Sequence, residues 1–171
     1  MDLLESYKHC TFCGGNVTVS DRKFTCQSCH GIRYVNPSPA VTALILRGNE
    51  ILLVKRAIDP SKNKWDLPGG FVDLNENYEK AIEREMMEEL GIKLKNIRYF
   101  NSCTDRYLFK GVNEYILVVN FLVETESDNY VPEDDVSEAR YFDLKDALNL
   151  DLAFPSINKI ILDLVNIKAN S

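Results

Sequence analysis

The run AVTALILRGNEILLVKRA is apolar at most positions of 40–46 and 51–55, and its polar break falls at Gly48-Asn49. That pattern predicts a hairpin whose turn is Gly48-Asn49. Residues 94–102 and 115–124 also read as strands, and the second, YILVVNFLVE, is apolar enough to be central in a sheet. Between them, TDRYLFKGVNE reads as a loop or hairpin, and 138–142 returns as a short strand. A helical period appears twice. In 78–90, Ile82, Met86 and Leu90 recur four residues apart, with Met87 beside them, and Gly91 follows as a left-handed helix end. In 155–165, Pro155 stands near a helix start and Ile157, Ile160, Ile161, Leu164 and Val165 form the apolar face.

The first forty residues follow a different pattern. NVTVSDRKFT alternates as a short hairpin would, and Asn36-Pro37-Ser38-Pro39 imposes an extended connection that blocks a helix. This places a boundary between residues 1–36 and 37–171. Around the hairpin, Cys10-x-x-Cys13 and Cys26-x-x-Cys29 lie twelve residues apart, with Gly14-Gly15 and Gly31 following the two pairs. Each pair brings two sulfurs to one side of an ion, so the set reads as a four-thiolate structural Zn²⁺ site and resembles a zinc ribbon. Two disulfides and two redox-active pairs are the competing readings.

Composition narrows the function classes. With 171 residues and 45% hydrophobic content the chain can bury a proper core beside one small module. The net charge is −6, and nothing in it suggests a broad grip on nucleic acid. No signal peptide, membrane span or lipidation motif is evident, so the chain reads as cytoplasmic and free of the membrane.

Most of that charge is concentrated in GFVDLNENYEKAIEREMMEELGI, residues 70–92, with seven acids against Lys80 and Arg84. On a helix over 78–90, Glu85, Glu88 and Glu89 fall within an arc of roughly 100°. Like charges so placed destabilise a helix by a few tenths of a kcal/mol per pair. A hard divalent cation, Mg²⁺ or Mn²⁺, would relieve the repulsion through oxygen ligands. Arg84 lies four residues before Glu88 and can reach back to Glu76. A solvated acidic face is the plain alternative, but it needs no glycines or arginine at set positions.

Gly70, Glu76 and then Arg84-Glu85-Met86-x-Glu88-Glu89-x-Gly91-Ile92 resemble the signature box of Nudix hydrolases, with WDLPGG leading into it. The resemblance covers about residues 40–165. It implies an α/β/α sandwich of the α+β class, with a mixed sheet between the box helix and the C-terminal helix. It also implies metal ligation by Glu85, Glu88, Glu89 and the Gly69 carbonyl, with Arg84 orienting the carboxylates. The reaction implied is hydrolysis of a nucleoside diphosphate linked to another group. Glu85 or a carboxylate in the acidic loop 127–135 would accept the proton of water; Glu133 is the first candidate there and Glu138 the next.

Substrate contacts are less defined. Lys55 and Arg56 end the second strand, where they can reach phosphate. Trp65 can stack on a base, though a core role is favoured. Arg106, Tyr107 and Phe109 set cations beside rings, as a phosphate-bearing group with a ring would suit. A zinc ribbon before a Nudix domain resembles NADH pyrophosphatases, but their SQPWPFPxS motif is missing; NSCTDRYLFKG stands in that region. Ribbon-bearing members similar to ADP-ribose or ADP-sugar hydrolases fit as well. The expected partner is a small nucleotide-diphosphate substrate, with nucleic acid disfavoured and a homodimer left open. A nucleotide-sensing module and an RNA-processing enzyme are the alternative functions.

Overall fold

The computed structural model describes residues 2–169, and the outermost ends of the two expected modules lie outside that range. The chain forms two compact units: residues 1–38 with 106–116, and residues 39–105 with 117–171.

In the first unit, α1 (Leu3–Ser6) precedes β1 (Val17–Ser20), β2 (Lys23–Cys26) and β3 (Ile32–Tyr34), which pair in that order as an antiparallel sheet. Asp2 caps α1, and Tyr7 stacks on the buried Phe24. The Tyr115 hydroxyl donates to Asp2 at 2.5 Å, which fastens the segment 106–116 to the chain start.

The second unit is built on a mixed seven-stranded sheet. Its strands are β4 (Ser38–Arg47), β5 (Glu50–Arg56), β6 (Trp65–Asp66), β7 (Gly69–Phe71), β8 (Leu94–Phe109), β9 (Val112–Thr125) and β10 (Val136–Asp143). The order is β10-β5-β4-β9-β8, with β6 on β5 and β7 on β4. Helix α2 (Tyr78–Leu90) lies between β7 and β8; α3 (Leu144–Ala147) and α4 (Pro155–Ala169) follow β10.

The central hairpin is apolar at successive positions because both faces of the sheet are covered. Val41, Ala43, Ile45, Leu52 and Val54 pack with Ile82, Met86 and Leu90 of α2. Their alternates Leu44, Ile51 and Leu53 pack with Ile157, Ile160, Ile161 and Leu164 of α4. Each such side chain contributes about 1.5–3 kcal/mol on burial, so the stripe of α2 outweighs the repulsion on its acidic side. Met87 is a correction to the sequence reading: it is exposed, one residue step off the buried stripe. The segment 104–114 takes the hairpin alternative: β8 and β9 extend through it and turn at Lys110-Gly111.

Trp65 is buried and meets Phe142 edge-on, as the core reading expects. Asn120 is a buried polar residue in the middle of β9. It accepts from the Thr42 hydroxyl at 2.5 Å and donates to Asn101 at 2.8 Å, so its amide is satisfied inside the sheet. Among the described residues no helix is long and apolar enough to cross a membrane.

Candidate active site and cysteine cluster

The box site is assembled from β7, the loop after it and α2. Asn77 caps α2 by accepting from the Lys80 N–H, and Gly91 ends the helix in the left-handed region. Strand β7 packs on β4 so closely that only glycine fits. Gly69 has φ 142°, and a Cβ there would lie 2.1 Å from the Val41 carbonyl oxygen. A Cβ on Gly70 would lie 2.5 Å from Glu85 Oε1. The two glycines therefore bring bare backbone against the carboxylates of the helix.

Arg84 organises the exposed side of this site. Its Nε and Nη2 donate to Glu76 at 3.0 and 2.9 Å, Nη1 donates to Glu85 at 2.8 Å and Glu88 at 2.9 Å, and Nη2 also reaches the Phe71 carbonyl at 2.9 Å. The guanidinium holds the Glu76 carboxyl below its usual range. Glu88 is the outermost box carboxylate, its side chain 48% exposed.

Glu89 departs from the expected arc. It is 4% exposed and turns inward, accepting the Gly69 N–H at 2.8 Å. Burial pushes its carboxyl well above the usual range, and the charge of Asp135 adds to this against the Gly69 N–H. Burial also raises Glu85, with Arg84 opposing and Glu88 and Asp135 adding. Arg84 holds Glu85 and Glu88 while Glu89 turns in to the Gly69 amide, and the three carboxylates do not gather as one cluster. Among the described residues the four cysteines are the one group of three or more whose ligand atoms all lie within 4.8 Å of one another. Buried, mutually repelling carboxyls facing bare backbone are nonetheless a donor set that suits a hard cation.

Asp135 is the residue that sequence reasoning missed. The loop carrying it is pinned to the end of α2: Val131 N–H donates to the Leu90 carbonyl at 3.0 Å and Glu133 N–H to the Glu89 carbonyl at 2.9 Å. Ala57 N–H donates to the Asp135 carbonyl at 2.7 Å. Asp135 is half-buried, and its charge acts on both Glu85 and Glu89. Glu133 uses its backbone on α2 and leaves its side chain exposed. Glu138 lies on β10 and meets Lys55 at 3.8 Å.

The phosphate-contact candidates are spread out. Arg56 is committed within the core, with Nη1 on Asp66 at 2.9 Å and Nε on the Pro60 carbonyl at 2.8 Å. Lys55 lies over the Trp65 ring, 5.6 Å from its centroid. Arg106, Tyr107 and Phe109 belong to the other unit, where Arg106 lies over Tyr115 at 5.4 Å.

The two cysteine loops are built alike. Cys10 N–H donates to the Gly15 carbonyl and Cys26 N–H to the Gly31 carbonyl, each five residues ahead. Phe12 N–H points at Cys10 Sγ; Ser28 and Cys29 N–H point at Cys26 Sγ. The Cys29 amide is the main reason that the Cys26 thiol is lowered to about 6. Cys10 and Cys29 sulfurs lie 3.8 Å apart, and Cys13 and Cys26 sulfurs 3.5 Å. Tetrahedral Zn–S bonds of about 2.3 Å set sulfurs about 3.8 Å apart, whereas a disulfide needs about 2 Å. The cluster therefore fits Zn²⁺, and neither disulfide is formed. His30 is exposed and is not part of the cluster.

Comparison with known proteins agrees with this geometry. The family model for the NUDIX domain matches residues 36–164. The chain is 35% identical over 113 residues to an ADP-ribose pyrophosphatase of Methanocaldococcus jannaschii, covering 65% of this chain and 64% of that protein. It is 30% identical over 176 residues to the NAD-capped RNA hydrolase NudC of Actinobacillus succinogenes, covering 98% of this chain and 63% of the relative. The chain thus spans under two thirds of the length of these relatives. Among solved structures it resembles a NUDIX hydrolase from Nitrosomonas europaea, with TM-score 0.67, 27% identity and 92% of both chains covered.

Proposed function

The chain belongs to the NUDIX domain family, and from that premise we propose that it is a divalent-cation-dependent hydrolase of a nucleoside diphosphate linked to a second group. The observation that carries this reading is the Gly69-Gly70 backbone laid against Glu85 and Glu89, a surface that a single Cβ would block. Glu85, Glu88, Glu89 and the Gly69 carbonyl are the residues that would hold Mg²⁺ or Mn²⁺. Once bound, such a cation neutralises charge on the diphosphate oxygens and lowers the pKa of an attacking water.

The protein's own groups do the remaining work. Arg84 fixes Glu85 and Glu88 through its fork while Glu76 holds the guanidinium from the far side. Asp135 takes the proton of the attacking water as its oxygen bonds to phosphorus. The bridging oxygen leaves with the electron pair, so a nucleoside monophosphate and a second phosphate monoester result. Residues 1–36 serve as a structural zinc ribbon and 37–171 as the catalytic domain. ADP-ribose and ADP-sugars are the first substrate class. NAD-capped RNA is the second reading, favoured by the likeness to the NudC protein that runs through the cysteine segment.

The test is a phosphatase-coupled assay with Mg²⁺ or Mn²⁺ over NADH, ADP-ribose, ADP-glucose, dinucleoside polyphosphates, nucleoside triphosphates and NAD-capped RNA. One diphosphate class is expected to dominate, with Glu88→Gln silent on it. Turnover of none, with tight binding of one compound, would make the protein a sensor instead.

A further inference from the structure

The three-stranded sheet of the cysteine-bearing unit has two unlike faces. One carries the buried Phe24 and Cys26, with Phe24 paired to Arg33 and Cys26 to Val17. Because side chains alternate along a strand, the intervening residues line the opposite face. Register sets Ser20, Lys23 and Tyr34 in one row across the three strands and Thr18, Thr25 and Ile32 in the next. Tyr34 is 58% and Ile32 52% exposed, so the largest apolar groups of this face stand in solvent side by side. The Arg22 guanidinium lies 5.9 Å from the Tyr34 ring centroid, and Lys23 is the cross-strand partner of Tyr34.

Charge is divided unevenly as well. The cysteine-bearing unit has six Lys and Arg against four Asp and Glu, net +2, so the rest of the −6 chain carries −8. Asp21 is the acid nearest this cationic pair in sequence.

We infer that this sheet face is a contact surface for single-stranded RNA, with Tyr34 stacking on a base and Arg22 and Lys23 engaging the flanking phosphates. An exposed ring offers every base a π-face, and a guanidinium over that ring bridges stacking and phosphate contact. A purely acidic peptide would meet the two cations but would have no use for the exposed ring. The row of Ser20, Lys23 and Tyr34 spans three strands at about 4.8 Å spacing, about 10 Å, enough for two stacked bases or a base and its phosphate. The inference does not depend on which diphosphate the box site cleaves.

The test is fluorescence anisotropy of an uncapped single-stranded RNA of ~12 nucleotides with the full zinc-loaded chain, from about 50 to about 200 mM salt. Wild type is expected to bind, and more weakly as salt rises. Tyr34→Ala should weaken binding about 10-fold while Tyr34→Phe stays within about 2-fold of wild type. Arg22→Ala should flatten the logarithmic salt slope by about 0.7. Zinc content measured alongside reports the fold of each variant. Should Tyr34→Ala shed zinc, Lys23→Glu on the same row carries the test, with at least about 10-fold weaker binding expected from the reversed charge. Absence of wild-type binding at low salt would overturn the inference. So would a duplex of the same sequence bound as tightly as the single strand, or zinc-loaded Tyr34→Ala binding like wild type.

Discussion

Gly69 and Glu89, twenty residues apart, meet through a 2.8 Å hydrogen bond in which the glycine amide donates to the buried carboxylate. That donor offsets only part of the burial, and the carboxyl stays well above its usual range. Folding therefore favours the protonated form. Metal-free stability from this group is greatest below the unfolded value of 4.5 and declines as pH rises toward the higher folded value. Glu89→Gln removes that loss. Melting of the metal-free variant at about pH 8 should equal or exceed wild type while turnover falls at least ~100-fold. A parallel fall in both would make Glu89 a structural residue only.

Asp135 and Glu133 separate in turnover. Asp135→Asn should lower kcat ~100-fold or more, because it deletes the carboxylate whose charge acts on Glu85 and Glu89. Glu133→Gln keeps the amide that holds the Glu89 carbonyl and should stay within about 3-fold of wild type. The reverse ranking would return the base to Glu133.

Arg84→Lys retains the charge but not the fork that reaches Glu76, Glu85, Glu88 and the Phe71 carbonyl. Activation by Mg²⁺ should need about 10-fold more cation, with kcat reduced less than kcat/KM. An unchanged Mg²⁺ titration would remove Arg84 from the positioning role.

Asp66, which precedes the box in sequence, gives a second pH signature. Burial raises it from 3.8 to about 6 despite the Arg56 pair. The folded chain therefore holds this proton more tightly than the unfolded one, and urea stability should fall by up to about 3 kcal/mol between pH 4 and pH 7 on this account. Asp66→Asn should flatten that slope at the cost of an unpaired Arg56. A slope unaltered in the variant would assign it to other groups.

Cys13→Ser should abolish Zn²⁺ binding and speed amide exchange in residues 2–38 and 106–116, with α2 and β5 still protected. Loss of protection through the whole chain would make the cysteine-bearing unit integral to the sheet.

Much of this was legible where one local pattern sufficed. The period of 78–90 gave α2 with both ends, and the apolar run of 40–55 gave the central hairpin. Met87 was misjudged because its place beside the stripe says nothing of where the sheet ends. The extent of β8 and β9 was missed because TDRYLFKGVNE mixes charged residues with rings, which suits an exposed strand as well as a loop. Arg56 looked available for phosphate because its partner Asp66 lies ten residues on, across a loop. Asp135 had no local mark among the four acids of 127–135; only the pinning of that loop to α2 selects it. Asn120 pairs with Thr42 78 residues away, a distance at which sequence pattern carries no signal.

The bond between Asp2 and Tyr115 closes the first unit across 113 positions of chain. The four cysteines lie within residues 10–29 and can gather a metal as soon as they are made. The segment 106–116 that completes their unit is synthesised several seconds later, at roughly 5–20 residues per second. On the ribosome, the cysteine segment must wait for the turn of a later hairpin before its unit is complete.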